Sequence, residues 1–139
     1  MQRTLVGRLI LILEHEPQVA VELEHAFNTA GAHAWATGAV PRAINLVKPG
    51  GWSAVVVNGD ARQPGRVHLF ALLRERNIPF VVYSCDPVTE GEFAQVPHVA
   101  KPAPPSKIVR VIEEMLHREG EPEPPIASAA RPTDSARER

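Results

Sequence analysis

Cysteine is nearly absent from this chain of 139 residues. Cys85 is the single one, so no internal disulfide can form and no cysteine-based zinc site can be assembled. A reducing compartment suits such a chain. No long apolar run is present either: Leu9 to Leu13 and Ala54 to Val57 are far too short to cross a bilayer, and residues 1–8 lack the apolar core of a signal peptide. The expectation is a cytoplasmic protein with no membrane partner. Charge of one sign is missing as well, since 15 basic residues stand against 16 acidic ones for a net charge of -1, with no Lys/Arg-rich stretch. Such a balance excludes a surface built to neutralise a run of phosphates, and no nucleic-acid partner is expected. Aromatic residues make up 5% of the chain, and its two tryptophans, Trp35 and Trp52, offer no platform for stacking bases. Each is expected to be half-buried packing beside a strand, with a partner contact as the less favoured reading.

What is present is a regular alternation. Apolar runs of strand length alternate with amphipathic stretches of helix length, the pattern of repeated βαβ units around a parallel sheet. Five strands are expected: Leu9 to Leu13, Ala32 to Thr37, Val55 to Val57, Phe80 to Tyr83 and His98 to Ala100. Pro17 opens a helix where its missing N–H costs nothing, Val19, Leu23, Phe27 and Ala30 share a face, and Gly31 is the expected left-handed cap. Further helices are expected from Pro41 to Val47, with Ala43, Ile44 and Val47 inward, and around Leu69 to Leu73. A weak helix is read near Val88 to Phe93, and a last one from Pro105 to His117 with Ile108, Val111, Ile112 and Met115 inward. A mass of 15.2 kDa suits one domain, able to bury roughly two-thirds of its unfolded surface. Residues 1–118 are assigned to it. Residues 119–139, rich in Pro, Glu and Arg and without apolar periodicity, are expected to form a disordered tail. Removing the chain beyond about residue 120 should therefore leave the melting temperature nearly unchanged, and a large drop would count against that assignment.

In an open parallel sheet, ligands bind beyond the carboxyl ends of the strands, where the strand order reverses. Four loops end there, carrying Glu14, His15 and Glu16, then Asn58 and Asp60, then Ser84 and Cys85, and last Lys101. An acidic residue after strand one, an acceptor position after strand three, a hydroxyl after strand four and a Lys-Pro after strand five form an ordered set. From Arg8 to Leu116 the chain resembles a response-regulator receiver, and Leu13-Glu14-His15-Glu16-Pro17, Asn77-Ile78-Pro79-Phe80-Val81 and Lys101-Pro102 carry the local wording of stand-alone receivers. The resemblance implies an α/β, flavodoxin-like, doubly wound five-stranded parallel sheet of order 2-1-3-4-5 with helices on both faces.

It also implies roles, and here the chain departs from the family. The family's acceptor aspartate falls on Asn58, its Mg²⁺-binding acidic pair on Glu14 and His15, its hydroxyl on Ser84 and its lysine on Lys101. With His15 neutral, Glu14 and Lys101 cancel, so Mg²⁺ binding is expected to be weak or absent and no cofactor is expected. An amide is a poor nucleophile, so phosphoryl acceptance at Asn58 should fail. With the metal gone, Lys101 is expected to pair with Glu14 at a net gain of order 1 kcal/mol. His15 is expected to hydrogen-bond to Glu14 or Asn58. Glu16 is expected to cap the helix that starts at Pro17. His98, three residues before Lys101, stands where receivers carry the aromatic that swings inward on activation. Its plainer reading is an edge-strand residue.

The implied function is a stand-alone receiver-like module, not an enzyme, acting by protein–protein interaction in two-component signal transduction, with a sensor kinase or another signalling protein as partner. No output domain is read after residue 118. A homodimer is conceivable through the face of the helix at 88–93, strand five and the last helix, including Val88, Phe93, His98, Val109 and Arg110. Two alternatives stand beside this: a receiver phosphorylated at a non-standard acceptor such as Asp60, and a small ligand-binding or enzymatic domain using the same cleft. His15 with Cys85 as a soft-metal site lacks a third ligand, and the remaining histidines are read as surface or boundary residues.

Overall fold

The computed structural model of the chain describes residues 4–58, 65–85 and 96–120. Five strands, β1 (Leu9–Leu13), β2 (His33–Thr37), β3 (Ala54–Asn58), β4 (Phe80–Ser84) and β5 (His98–Ala100), pair in parallel in the order β2-β1-β3-β4-β5. Four helices are described, α1 (Pro17–Thr29), α2 (Val40–Val47), α3 (Arg66–Glu75) and α4 (Pro105–Gly120). The helix expected at 88–93, Asp60 and residues 121–139 of the expected tail lie outside the described residues, whereas Glu119 and Gly120, assigned to the tail from sequence, belong to α4. Val88 and Phe93 also lie outside the described residues.

Successive side chains of a strand point to opposite faces, and here both faces are covered. Ile10, Ile12, Val56 and Val81 pack with Leu23, Phe27, Ile108 and Ile112 on the α1–α4 side. Leu11, Leu13, Val55, Val57 and Val82 pack with Val40, Ala43, Val47, Leu69, Phe70 and Leu73 on the α2–α3 side. This two-sided burial is why the strands read as continuous apolar runs. Pro17 opens α1 as expected, and Gly31 follows it at φ 102, in the left-handed region. A Cβ at position 31 would also sit 2.8 Å from the Val6 side chain, so any other residue there must displace the N-terminal segment.

Several details differ from the sequence reading. The last helix turns a different stripe inward: Ile108, Val109, Ile112 and Leu116 are buried, whereas Val111 and Met115 are only half-buried. It packs against both α1 and β4, which rotates its apolar face and takes Val109 into the core. Val109 is therefore not part of an exposed interaction face. In α2, Ala43 and Val47 are buried and Ile44 only half so. Trp35 is 53% exposed, which corrects the expectation of half-buried packing. It pairs with Leu11 and so lies on the α2 side of the sheet, on β2, an edge strand. Trp52 is half-buried as expected, and its Nε1 donates to the Leu46 carbonyl at 2.8 Å.

Candidate functional site

The chain crosses from β2 back past β1 to form β3, and the crevice between the carboxyl ends of β1 and β3 is the switch point of the sheet. The register then places the polar residues. Leu13 pairs with Val57, so Glu14 follows β1 next to Asn58, the last residue of β3. Asn58 pairs with Tyr83, and Ser84 with Ala100, which sets Ser84 and Lys101 at the ends of β4 and β5. Four segments distant in sequence thus converge on one cleft.

Glu14 lies at its centre, 3% exposed, its backbone N–H held by the Thr37 carbonyl at 2.9 Å. Its Oε2 accepts from the Glu16 backbone N–H at 3.1 Å, from Asn58 Nδ2 at 2.9 Å and from Lys101 Nζ at 3.4 Å. The same Nζ lies 3.2 Å from Oε1, an ionic contact without hydrogen-bond alignment, so Oε1 is a buried oxygen with no directed donor. The Glu14–Lys101 pairing expected from sequence is therefore present. The two side chains are only 1% and 10% exposed, so this is a buried ion pair and not a screened one at the mouth.

Asn58 Nδ2 also lies 2.6 Å from His15 Nδ1. An amide nitrogen only donates, so the network assigns Nδ1 as the acceptor and places the imidazole proton on Nε2 of a neutral ring. His15 Nδ1 stands 3.7 Å from Glu14 Oε2. Among the described residues, Glu14 and Lys101 bring one carboxylate and one ammonium to the cleft. Glu16 occupies the position before α1 but makes no side-chain capping bond there, which corrects the capping expectation. The Glu16 backbone N–H donates separately to the Glu14 carboxylate.

Ser84 is fully buried, and its Oγ lies 3.1 Å from Nε2 of the half-buried His98. His98 is thus more than an edge-strand residue, since it touches the cleft hydroxyl directly. Replacing it with phenylalanine, which fills similar space without a ring nitrogen, should cost about 1 kcal/mol in urea unfolding. Of the interaction face read from sequence, His98 and the exposed Arg110 remain accessible among the described residues. Cys85 is exposed and is not joined to a metal cluster: among the described residues no three His, Cys, Asp or Glu side chains come together.

One contributor was not read from the sequence. Tyr83 is 5% exposed, its hydroxyl donates to the Ala103 carbonyl at 3.1 Å and accepts from the Ala103 N–H at 3.2 Å, and its ring lies 5.1 Å from Lys101 Nζ. It clamps the segment that carries the lysine. A tyrosine ending a fully buried strand was the available signal, since its hydroxyl must find a partner.

No family model matches the chain, and no curated protein matches it. Solved structures do. A response regulator receiver protein from Sinorhizobium medicae is 22% identical, covers 79% of this chain and 94% of its own, and superposes with a TM-score of 0.70. A CheY-like response regulator receiver domain from Methanospirillum hungatei is 12% identical over 82% of this chain and 97% of its own, with a TM-score of 0.71. The receiver domain of a sensor histidine kinase from Pseudomonas aeruginosa, solved with a magnesium ion coordinated in its active-site cleft, is 15% identical over 80% and 98%, with a TM-score of 0.65. The chain has the receiver fold. At these identities the likeness speaks for the fold, and the residues of the cleft must speak for its chemistry.

Proposed function

We propose that the chain is a receiver-like signalling module that works through protein contacts and takes no phosphoryl group at position 58. The observation that carries this is the orientation of Asn58, whose amide nitrogen donates to Glu14 and to His15 where a phosphoacceptor would need a free carboxylate. The lysine is committed in the same way, lying on Glu14 at 3.2 Å.

The residues present do not suit Mg²⁺. A hard divalent ion wants several anionic or carbonyl oxygens, and the described cleft offers one carboxylate whose oxygens already face an ammonium, an amide and a backbone N–H. The Lys101 ammonium supplies the positive charge that a metal would otherwise bring. With no metal and no anionic nucleophile, the fold keeps the receiver's shape, and its use is recognition by a signalling partner such as a sensor kinase. Its place is the cytoplasm, with residues 1–118 as the working domain. No described helix is long and apolar enough to cross a membrane.

The experiment is to incubate the purified chain with Mg²⁺ and acetyl phosphate and follow its intact mass. No phosphate should be added. Efficient labelling at any residue would refute the reading, and mapping the labelled peptide would show whether Asp60 had served as acceptor.

A further inference from the structure

The two edges of the sheet are built differently. At one, β5 is three residues long, with Pro97 before it and Lys101-Pro102 after it, and short edges flanked by proline and charge resist pairing with another strand. At the other, β2 runs for five residues, His33-Ala34-Trp35-Ala36-Thr37, in unbroken register and with no Lys, Arg, Asp, Glu or Pro. It carries none of the usual protections. His33, Trp35 and Thr37 pair with Leu9, Leu11 and Leu13, the His33 N–H donating to the Arg8 carbonyl and the Thr37 carbonyl accepting from the Glu14 N–H. Alternate residues of a strand turn to the same neighbour, so Ala34 and Ala36 present their backbone groups to the open side. The Ala34 N–H is met there by Asn28 Oδ1 at 3.2 Å. Three of the five exposed large apolar side chains gather at this edge: Trp35, Leu9 on the same face of β1, and Val6, which lies against Gly31 just before β2.

We propose that β2 docks on β2 of a second copy of this chain, the two strands pairing antiparallel about a twofold axis at Trp35. The edge complements itself, which is what selects a second copy as its occupant. With the axis at residue 35, Ala34 stands opposite the partner's Ala36, and each Ala36 N–H meets the Ala34 carbonyl of the other copy. The Ala34 N–H adds a bond to the facing Ala36 carbonyl once it leaves Asn28. Trp35 then faces the partner's Trp35 as a non-hydrogen-bonded pair, the place in an antiparallel ladder where side chains come closest. Two indoles that are each 53% exposed in the single chain cover one another there, and a central aromatic is the residue type that carries most of the energy of such contacts. No charged side chain on β2 opposes its counterpart. The contact closes on itself after two copies, so it joins two sheets into one without building a fibre. The β5 edge, on the far side of each sheet, stays outside it.

The test is sedimentation of the full chain over a concentration series, followed by cross-linking to read the register. The wild type should show a monomer–dimer equilibrium with a Kd on the order of 10 µM, nearly unchanged by salt because no ion pair spans the contact. Trp35→Glu sets two carboxylates across the axis and should weaken association about thirtyfold or more. In a Cys85→Ser background, position 33 of one copy stands beside position 37 of the other, within disulfide reach, but roughly 13 Å along the strand from its own counterpart. An oxidised mixture of His33→Cys and Thr37→Cys chains should therefore give a disulfide-linked dimer of the two, and either chain alone should stay unlinked. Trp35 is intact in both, so the cross-link decides the matter even where Trp35→Glu fails to fold. A wild type still monomeric at about 1 mM, a dimer that a folded Trp35→Glu leaves unchanged, or a mixture that links no better than its separate components would each overturn the proposal.

Discussion

Replacing Glu14 with leucine should leave a chain about 3 kcal/mol less stable than one that carries Lys101→Met as well. The expectation rests on the difference between what a buried ion pair contributes and what a stranded charge costs. The pair itself is worth little, of order 1 kcal/mol, because desolvating both ions offsets most of their attraction. Removing Glu14 alone takes its carboxylate from the Lys101 ammonium, whose side chain is 10% exposed and lies beside the Tyr83 ring. Removing both charges leaves an unbranched apolar side chain of similar length in the lysine's place. Asn58 loses the same acceptor in either case. The comparison thus isolates the stranded ammonium. Urea midpoints with an unchanged slope would measure it, and a double variant no more stable than the single one would show that Lys101 finds another partner or reaches water.

A second large effect is expected from restoring carboxylates. Asn58→Asp together with His15→Asp should create a Mg²⁺ site in a cleft that is proposed to hold the ion weakly or not at all in the parent chain. Each change adds one negative charge to a cleft in which Glu14 and Lys101 cancel, and together they reach the charge that a divalent ion balances. The structure adds a reason why the single change should do less. In Asn58→Asp the amide that donates to Glu14 Oε2 at 2.9 Å becomes a carboxylate facing a carboxylate, and His15 Nδ1 loses its donor at 2.6 Å. Only Lys101 then holds two anions together. With His15→Asp added, the same crowding of charge becomes the metal's donor set. Without Mg²⁺ the double variant should be less stable than the parent, and saturating Mg²⁺ should raise it by about 2.7 kcal/mol at a hundred times its Kd. Thermal melts with and without the ion measure this directly. Ser84 and Lys101 remain in place, so the same variant should gain the mass of one phosphate from acetyl phosphate. A folded double variant whose melting temperature ignores Mg²⁺ would mean that the cleft is not a receiver site lacking two carboxylates.

The strands were legible in the sequence because they rest on short-range pattern, and their order and the residues of the cleft were legible through the resemblance to receivers. Continuous apolar runs such as Leu9 to Leu13 mark strands buried on both faces, Pro17 and Gly31 punctuate α1, and polar residues at strand ends fall together once the sheet is parallel. The pairing of Lys101 with Glu14 was legible too, since two opposite charges brought to one crevice attract each other. What a one-dimensional pattern does not hold is the angle at which elements meet. The rotation of α4 that buries Val109 and half-exposes Val111 depends on its simultaneous contact with α1 and β4. Trp35 is exposed on β2, an edge strand, and the place of a strand in the sheet is not a matter of sequence spacing. The same holds for hydrogen bonds of the last few tenths of an ångström. The sequence by itself determined which described groups enter the cleft, because each follows a strand that its apolar run marks. Only the tertiary structure decided that one carboxylate oxygen faces both the lysine and the asparagine, that the Glu16 N–H goes to Glu14, and that His98 reaches Ser84, because each is a distance between residues fixed by packing on opposite sides of the sheet.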